Sequence, residues 1–368
     1  MLTFGTFRVI ILLVGTFHVL LMGEWKERVK VIRKNVTIID IAKDCGISKS
    51  TVAYVLSGMT KGKVSPEKCM IVRNSAQRLG YRTNLAARVL SSKKSCAIGV
   101  LLPSTRNYYY ADMVAGIQHA LSTTDYTPIF AFWENEKNKP SVVENILSRQ
   151  VDAIITCEPG YLPDGLNIPV VSFAVFDPRF DYVGCNPEAV IKTSIEYLLS
   201  LGHRKISYIG FNGDARGNAF CALAPQYGIE PFALMLPYDD INAGIEGFGE
   251  ILSANIKCTA VMAHSDATAF GVMRSAWDHN IKIPDDFSLM GFGNIRHAAY
   301  STPGLTSIGH SIDMESYIKV ILDVIFKRLE DNSMPPEKYI CEPCLCVRES
   351  CIRYPDGGCL ERGRRGLC

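Results

Sequence analysis

The chain has 368 residues, of which 48% are hydrophobic and 21% are charged. This composition can bury a core and excludes a wholly disordered chain. No collagen-like, coiled-coil or solenoid repeat is present. The net charge of +2 would by itself predict no acidic partner and would argue against nucleic-acid binding. The elements in chain order change that interpretation.

The first segment, residues 1–34, contains an apolar run from Val9 to Met22. The run is shorter than the roughly 20 residues of a membrane span and lacks a small-residue cleavage site. Three interpretations stay open: an over-extended start with Met22 as the true first residue, a membrane anchor, or a cleaved signal. We favour the first, because the next segment belongs in the cytoplasm. A tethered protein is expected only if residues 1–22 are a genuine segment.

A basic block follows at residues 35–94, where eleven Lys and Arg residues stand against three Asp and Glu residues. The local balance is +8, so the remainder of the chain is acidic, at −6. A split of this kind indicates an anion-binding module joined to a neutral-to-acidic body. A basic face that is merely solvated is the simpler alternative.

Three short helices are predicted inside this block. Thr37 caps a helix over Ile38–Cys45, and Gly46 suits the left-handed turn that ends it. Ser48 caps a second helix, Lys49–Leu56, and Ser65 with Pro66 begins a third that Gly80 ends. Two helices joined by a tight glycine turn, with a third packed against them, form a helix-turn-helix unit over residues 35–82.

The second helix is the predicted recognition helix, because a helix of this kind fits the major groove of DNA. Its outer residues can reach base edges, and the hydroxyls at helix N-termini suit phosphate oxygens. The predicted DNA-contacting residues in this block are Thr37, Ser48, Lys49, Ser50, Thr51, Tyr54 and Ser65. A three-helix motif without DNA binding is the alternative that the helices alone leave open.

Strand-like and helical stretches alternate beyond residue 95. Seven strand-like runs begin with Ala97–Leu102 and end with Ser288–Gly291. Helical stretches lie between them, and one more, Met314–Leu329, follows the last run. The alternation predicts parallel sheets with both faces covered. About 250 residues is long for one such sheet, so two similar lobes are expected over residues 95–351. Ligands of these folds bind at the carboxyl ends of strands, here between the lobes.

The chain resembles the LacI/GalR family of bacterial repressors. The motifs that carry the resemblance are TIIDIA at 37–42, GIS at 46–48, TVAYVLS at 51–57, VSPE at 64–67, LGY at 79–81, NLAARVL at 84–90, LGHRKI at 201–206, IPDD at 283–286 and VRES at 347–350. The resemblance covers roughly residues 35–351. It implies an all-α helix-turn-helix headpiece followed by a two-lobed α/β body similar to periplasmic binding proteins.

The resemblance also implies a hinge helix within residues 83–94 that orders on operator DNA. Asn84, Ala87 and Leu90 fall where the family contacts DNA, and a leucine wedge there kinks the duplex. Two wedges from a homodimer imply a palindromic operator on double-stranded DNA. Two departures matter: Ala53-Tyr54 replaces the usual Ser-Arg, and Thr83 replaces a proline. The missing arginine predicts an unusual base preference rather than loss of binding.

The resemblance places an effector site in the body. Its expected residues are Tyr109, Tyr110, Arg216, Ser265, Asp266 and Asn294. Aromatic faces can stack on a sugar, although the tyrosines could equally just begin a helix. Arg216 matches the arginine that grips ligand hydroxyls, with an ordinary surface arginine as the alternative. Gly293 and Cys185 replace two common carboxylates, which indicates a less hydroxylated effector or degenerate sensing.

The cysteines number 13, an odd count that favours a reducing compartment. Cys341, Cys344 and Cys346 could hold zinc or an iron–sulfur cluster, but no histidine follows His310 and the usual second pair is missing. We therefore expect no metal, no cofactor and a final strand over Tyr339–Val347 with free thiols. Residues 352–368 form a tail rich in Cys, Gly and Arg.

The expected function is that of a cytoplasmic, dimeric transcriptional regulator, a repressor controlled by a small molecule such as a carbohydrate. No motif of a hydrolase, zinc protease or nucleotide-binding loop is present, so no enzyme is expected. An exported or membrane-anchored solute-binding receptor is the stronger rival, because the body fits it. A receptor would have no use for the basic block.

Overall fold

The computed structural model describes residues 36–56, 64–81, 94–104 and 107–354. They form two compact units, which divide between Lys93 and Lys94. The leader of residues 1–34, the hinge-helix residues Asn84, Ala87 and Leu90, and the tail beyond residue 354 lie outside the described residues. None of the helices described is long and apolar enough to cross a membrane.

The headpiece contains α1 (Ile38–Cys45), α2 (Lys49–Leu56) and α3 (Pro66–Leu79). Thr37 and Asp40 form the reciprocal cap of α1: the Asp40 amide donates to Thr37 Oγ1 at 3.3 Å, and the Thr37 amide donates to Asp40 Oδ2 at 2.8 Å. Gly46 and Gly80 end α1 and α3 with φ of 66° and 68°, where glycine is least strained. The predicted boundaries of all three helices are confirmed.

One small apolar core holds the three helices together. Its buried members are Ile41, Val52, Val55, Val72 and Ala76. They recur at helical spacing, so each helix contributes one apolar face to this core. The remaining faces of the helices stay in solvent, where the predicted DNA-contacting side chains lie.

The body has two lobes, each built on a six-stranded sheet. The first lobe contains β1 (Ala97–Pro103), α4 (Tyr108–Leu121), β2 (Thr127–Trp133), α5 (Lys139–Ser148), β3 (Ala153–Thr156), β4 (Val170–Ser172), β5 (Asp181–Gly184), α10 (Met314–Glu330) and β11 (Lys338–Ile340). Its strand order is β11-β5-β4-β3-β1-β2, and every pairing is parallel.

The second lobe repeats the plan. It contains α6 (Pro187–Ser200), β6 (Ile206–Phe211), α7 (Ala215–Leu223), β7 (Phe232–Leu236), α8 (Ile241–Ser253), β8 (Ala260–Ala263), α9 (Asp266–Asp278), β9 (Ser288–Phe292), β10 (Thr306–His310) and β12 (Pro343–Cys346). Its order is β12-β10-β9-β8-β6-β7, parallel except where β12 pairs antiparallel with β10. The predicted pair of similar lobes is confirmed.

Three connecting segments carry the chain between the lobes: residues 185–186, 311–313 and 341–342. The last of them corrects the expectation of one strand over Tyr339–Val347. That stretch forms two strands in two sheets, because β11 pairs with β5 in the first lobe and β12 with β10 in the second. Pro343 has no amide hydrogen for a ladder, so it suits the first position of a new edge strand.

Candidate DNA-binding surface and effector cleft

The N-terminal turn of α2 exposes a compact group of polar side chains. Lys49 and Ser50 are exposed, and Tyr54 projects one turn later on the same helix with 39% of its surface accessible. Ser48 Oγ lies 3.0 Å from Ser50 Oγ and 2.8 Å from Thr51 Oγ1. The Thr51 amide donates to Ser48 Oγ at 3.3 Å, which caps the helix as predicted. Hydroxyls and a lysine at a helix N-terminus can bind a phosphate oxygen.

The other two predicted headpiece contacts are also helix caps. Thr37 and Ser65 are both exposed, at the starts of α1 and α3. The Lys68 amide donates to Ser65 Oγ at 3.4 Å. Both hydroxyls therefore stabilise their own helix, and a phosphate contact would come in addition to that role.

In the body, α4 begins at the edge of the cleft between the lobes. Asn107 caps this helix, accepting from the Tyr109 amide at 3.0 Å. Its side-chain Nδ2 donates to Asp239 Oδ2 in the other lobe at 3.2 Å. Tyr109 and Tyr110 are half-buried and meet edge to face at 5.6 Å. Burial raises the pKa of both phenols, so both stay protonated donors at neutral pH.

Arg216 lies in the first turn of α7, and Asp214 caps that helix. The guanidinium carbon is 3.6 Å from the centre of the Phe292 ring, and Nη2 lies 2.8 Å from His264 Nε2. His264 Nδ1 lies 2.7 Å from Asp214 Oδ2, which also accepts from the Tyr208 hydroxyl at 2.5 Å. Asp214 thus orients the imidazole through Nδ1, and Arg216 Nη2 lies close to both ring nitrogens, 3.1 Å from Nδ1 and 2.8 Å from Nε2.

The carboxylate of Asp214 is charged despite its burial. Burial by itself would raise the pKa of this group, but the adjacent His264 and Arg216 outweigh it and hold the pKa well below the usual range. Asp214 is therefore a permanent acceptor that anchors the imidazole, which in turn orients Arg216.

Ser265 and Asp266, at the start of α9, face the protein rather than an open site. Ser265 caps α9 through the Thr268 amide and donates to Asp239 Oδ1 at 2.6 Å. Asp266 is only 1% exposed and accepts from Ser307 Oγ at 2.6 Å and from the Ile295 amide at 2.9 Å. Burial raises the pKa of Asp266 to about 6. Its carboxylate stabilises the loop after β9 by accepting the hydrogen bond from the Ile295 amide.

Asn294 belongs to that loop and has a left-handed φ of 46°. The side-chain Oδ1 of Asn294 accepts from Arg348 Nη2 at 2.6 Å, and the backbone amide of Asn294 donates to Ser307 Oγ at 3.0 Å. The neighbouring Gly293 has φ of 118°, and a Cβ there would come within 3.9 Å of Tyr109 Cδ2. The first lobe thus closes directly over the turn that lacks the carboxylate common in the resembled family.

The structure brings together Tyr109, Arg216 and the loop of Asn294, and it adds three residues that the sequence interpretation missed: Asp214, Asp239 and His264. Sequence signals existed for two of them, Asp214 and His264. Asp214 follows Asn-Gly directly after a strand, a helix-cap pattern. His264 ends a buried strand next to Ser265, at the sheet edge where ligands bind. No group of three potential metal ligands occurs within the described residues.

Comparison with known proteins matches both parts of the chain. Residues 37–84 match the model for bacterial regulatory proteins of the lacI family, and residues 195–351 match a periplasmic binding protein-like domain. Catabolite control protein A of Priestia megaterium is 28% identical over 291 residues, covering 74% of this chain and 87% of that protein.

Solved structures share the fold. The lac repressor dimer bound to operator and the anti-inducer ONPF aligns with a TM-score of 0.76 and 21% identity over 87% of this chain and all of that one. A LacI-family regulator from Enterococcus faecium with bound ribose aligns with a TM-score of 0.62 and 22% identity over 70% of this chain and all of that one. The chain thus carries a helix-turn-helix of the lacI family of bacterial regulatory proteins, followed by a two-lobed periplasmic binding protein-like domain.

Proposed function

We propose that this LacI-family regulator represses transcription as a homodimer on a palindromic operator, under the control of a small molecule bound between its lobes. The observation that carries the proposal is the exposed first turn of α2, where Ser48, Lys49, Ser50 and Thr51 cluster. The lac repressor, whose fold the chain shares, is a dimer on operator DNA. A dimer presents two such turns, which fit two half-sites.

Lys49 and the hydroxyls supply the phosphate contacts, and Tyr54 supplies a base-edge or thymine-methyl contact on the same helix face. Asn84, Ala87 and Leu90 supply the hinge contacts that the family resemblance implies. Leu90 unstacks a central base step, and its replacement by alanine is expected to reduce DNA bending.

Effector control follows from the three connecting segments. Asn107 in the first lobe bonds Asp239 in the second, so a ligand that binds between them changes the relative pose of the lobes. Such a ligand regulates only if it binds the two poses with different affinity. Tyr109, Tyr110 and Arg216 are the proposed contacts, and Ser265, Asp266 and Asn294 support the loops that carry them.

The cleft acts by binding rather than by catalysis. Asp214 and His264 resemble the acid and the histidine of a hydrolytic triad. The group next to His264 Nε2, where the nucleophile of a triad would lie, is Arg216, which is not a nucleophile. A solute-binding receptor remains the second candidate for the body alone. The basic headpiece favours the regulator.

The test is a footprint of the purified chain on DNA upstream of neighbouring genes. Lys49→Ala should weaken DNA binding about tenfold. It should also reduce the slope of log K against log salt concentration by about 1, because one phosphate contact is lost. Lys319→Ala is the matched control, because Lys319 is an exposed lysine of α10 that pairs with Asp323. A protein that protects no DNA, or equal losses in both variants, would contradict the proposal.

A further inference from the structure

We propose that Cys185 and Cys341 form a reversible disulfide, a redox-sensitive modification site where the chain passes between the two lobes. The oxidant is a low-molecular-weight disulfide such as oxidised glutathione. The inference goes beyond the proposed function, because the reaction needs neither DNA nor an effector. It rests on the register of two strands, on the surroundings of the two thiols and on an imidazole that contacts one of them.

The two cysteines occupy adjacent positions at the ends of neighbouring parallel strands. β5 and β11 pair with Ile340 opposite Gly184, so Cys341 and Cys185 each lie one residue beyond that last pair. The Cys341 amide donates to the Gly184 carbonyl at 2.9 Å, which holds the third connecting segment against the first. Neighbouring strands lie about 4.8 Å apart, and disulfides join residues whose Cα atoms are about 4.4 to 6.8 Å apart. The two backbones are therefore close enough for one disulfide.

Both side chains lie against the same apolar cluster of the second lobe. Cys185 is a buried member of that cluster, and Cys341 packs against it half-buried; both are free thiols. Burial raises the pKa of Cys185 to about 12, and the neighbouring thiol of Cys341 adds to the rise. Burial raises the pKa of Cys341 as well. Because protonated thiols react slowly, the pair stays reduced unless oxidation is sustained.

His310 supplies a proton acceptor for Cys185. Its Nδ1 lies 3.0 Å from Cys185 Sγ, and its ring is stacked on Tyr317, which fixes the ring plane. Burial lowers the pKa of His310, so the imidazole is neutral at pH 7 and can accept the thiol proton at Nδ1 in its Nε2–H tautomer. Cys341 is more exposed to solvent than Cys185. Cys341 therefore reacts with the oxidant first, and Cys185 follows.

Two thiol–disulfide exchanges give the product. The thiolate of Cys341 attacks one sulfur of the oxidant, the S–S bond of the oxidant breaks, and one thiolate leaves. Cys185 Sγ then attacks the Cys341 sulfur of the mixed disulfide, and the second thiolate of the oxidant leaves. The proton of Cys185 passes through His310 Nδ1 to that thiolate. The two cysteines lose two electrons in total, and one oxidant molecule becomes two thiols.

The disulfide ties together the places where the chain connects the lobes. Cys185 lies in the first connecting segment and Cys341 in the third. The Ser311 amide of the second segment already donates to the Glu342 carbonyl of the third at 2.9 Å. Any change in the relative pose of the lobes has to occur at these segments. A covalent bond across them therefore restricts that change.

Cys344 and Cys346 are the nearest alternative pair. They lie two residues apart on β12, and Cys344 is exposed. Residues two positions apart on a strand are about 6.6 Å apart, near the upper limit of the Cα separation in disulfides. A bond between them would lie within one strand and leave the connecting segments free. The experiment must therefore locate the bonded sulfur atoms.

Peptide mapping of the full chain locates them. The folded chain is treated with oxidised glutathione, its remaining thiols are blocked with N-ethylmaleimide, and it is digested with trypsin. We expect a disulfide between the peptides 180–192 and 339–348 in most chains, and its loss on treatment with dithiothreitol. The same treatment in urea should give many pairings among the 13 cysteines. A folded chain without this cross-link, or with no more of it than the chain in urea, would overturn the inference.

Variants assign the sulfur within peptide 339–348, which contains three cysteines. The double variant Cys344→Ser/Cys346→Ser should keep the cross-link, and Cys341→Ser should lose it. In Cys185→Ser, glutathione should stay attached to Cys341, because the second thiol is missing. A cross-link that survives in Cys341→Ser would refute the assignment. Fragmentation spectra of the unaltered chain locate the same sulfur, so the result stands even if a variant fails to fold.

Hydrogen exchange tests the consequence for the lobes. Exchange in the segments 311–313 and 341–342 should slow about fivefold or more on oxidation, because the disulfide opposes local opening there. Cys341→Ser treated in the same way is the control and should show no slowing. Equal exchange in the oxidised and reduced wild type would refute the restriction of the lobes.

Discussion

Cys185 Sγ lies 3.0 Å from His310 Nδ1, where the first and second connecting segments run between the lobes. His310 also stacks on Tyr317 with ring centres 4.1 Å apart. Burial, with a smaller effect from the positive charge of Arg216, lowers the pKa of His310 to about 4. The imidazole is therefore neutral at pH 7, which suits a position between a thiol and a phenol ring.

The first prediction concerns the pH dependence of stability at this contact. Because the folded pKa lies below the unfolded value of about 6.5, the unfolded chain takes up the proton first. Between pH 6.5 and 4 the body should lose about 3 kcal/mol from this group as the pH falls. Chemical unfolding of the wild type and His310→Gln at several pH values measures the effect as their difference. A difference that does not change with pH would contradict it.

Taking that difference also removes the opposing effect of Asp266. Burial raises the pKa of Asp266 above its unfolded value, so this group favours the folded state less as the pH rises from about 4 to 6. Both proteins carry Asp266, and its contribution therefore cancels.

The second prediction concerns the contact between α8 and α9. A Cβ on Gly244 would lie 1.9 Å from the Thr268 carbonyl oxygen, and a Cβ on Gly271 would lie 2.0 Å from that of Ile241. Both obstacles are backbone, so the helices would have to separate. Gly244→Ala should destabilise the body by about 3 kcal/mol, as overpacking of a tight contact does.

Gly249→Ala in the same helix is the matched control. Nothing lies within 4 Å of a Cβ at Gly249, and alanine is the better helix former by about 1 kcal/mol. Thermal unfolding should therefore show a lower Tm for Gly244→Ala and an equal or higher Tm for Gly249→Ala. Equal losses in both would show that the close helix contact is not what matters.

The third prediction concerns the buried ion pair of the first lobe. Arg328 is 2% exposed and binds Asp181 through Nε at 2.8 Å and Nη2 at 2.6 Å. It also donates to the carbonyls of Met334 and Pro335, in the loop between α10 and β11. Arg328→Ala leaves Asp181 unpaired and should cost about 3 to 5 kcal/mol in urea unfolding. Lys327→Ala, an exposed neighbour, should cost less than 1 kcal/mol.

The fourth prediction concerns the reciprocal cap of α1. Thr37→Ala removes the hydroxyl that accepts from the Asp40 amide and should destabilise the headpiece by about 1 kcal/mol. Thr37→Ser keeps that acceptor and should recover most of the loss. Hydrogen exchange of the α1 amides in the two variants measures the difference. Similar protection in Thr37→Ala and the wild type would rule out the cap as a source of stability.

The headpiece was predictable to the residue because its signals are local. Thr37, Gly46, Ser65 and Gly80 act on the helix they adjoin, and the apolar stripe of each helix recurs within a few residues. In the body the same kind of periodicity predicted seven strands, which correspond to β1 to β4, β6, β8 and β9, and it did not identify β5, β7 or β10.

The remaining features depend on residues that are distant in sequence. His264 orients Arg216 only because Asp214, fifty positions earlier, is brought to it by the adjacent strands β6 and β8. The stretch Tyr339–Val347 reads as one strand, since nothing in its pattern shows that its two halves pair with strands of different lobes. Local periodicity cannot report either pairing.

The third connecting segment also bears on biosynthesis. β11 and β12, only two residues apart, supply one edge strand to each sheet, so both sheets are completed by the same nine residues, 338–346. Neither lobe can finish its sheet until that stretch has left the ribosome. A chain truncated before residue 338 therefore leaves an unpaired edge at β5 and at β10, two templates for aggregation in a single molecule.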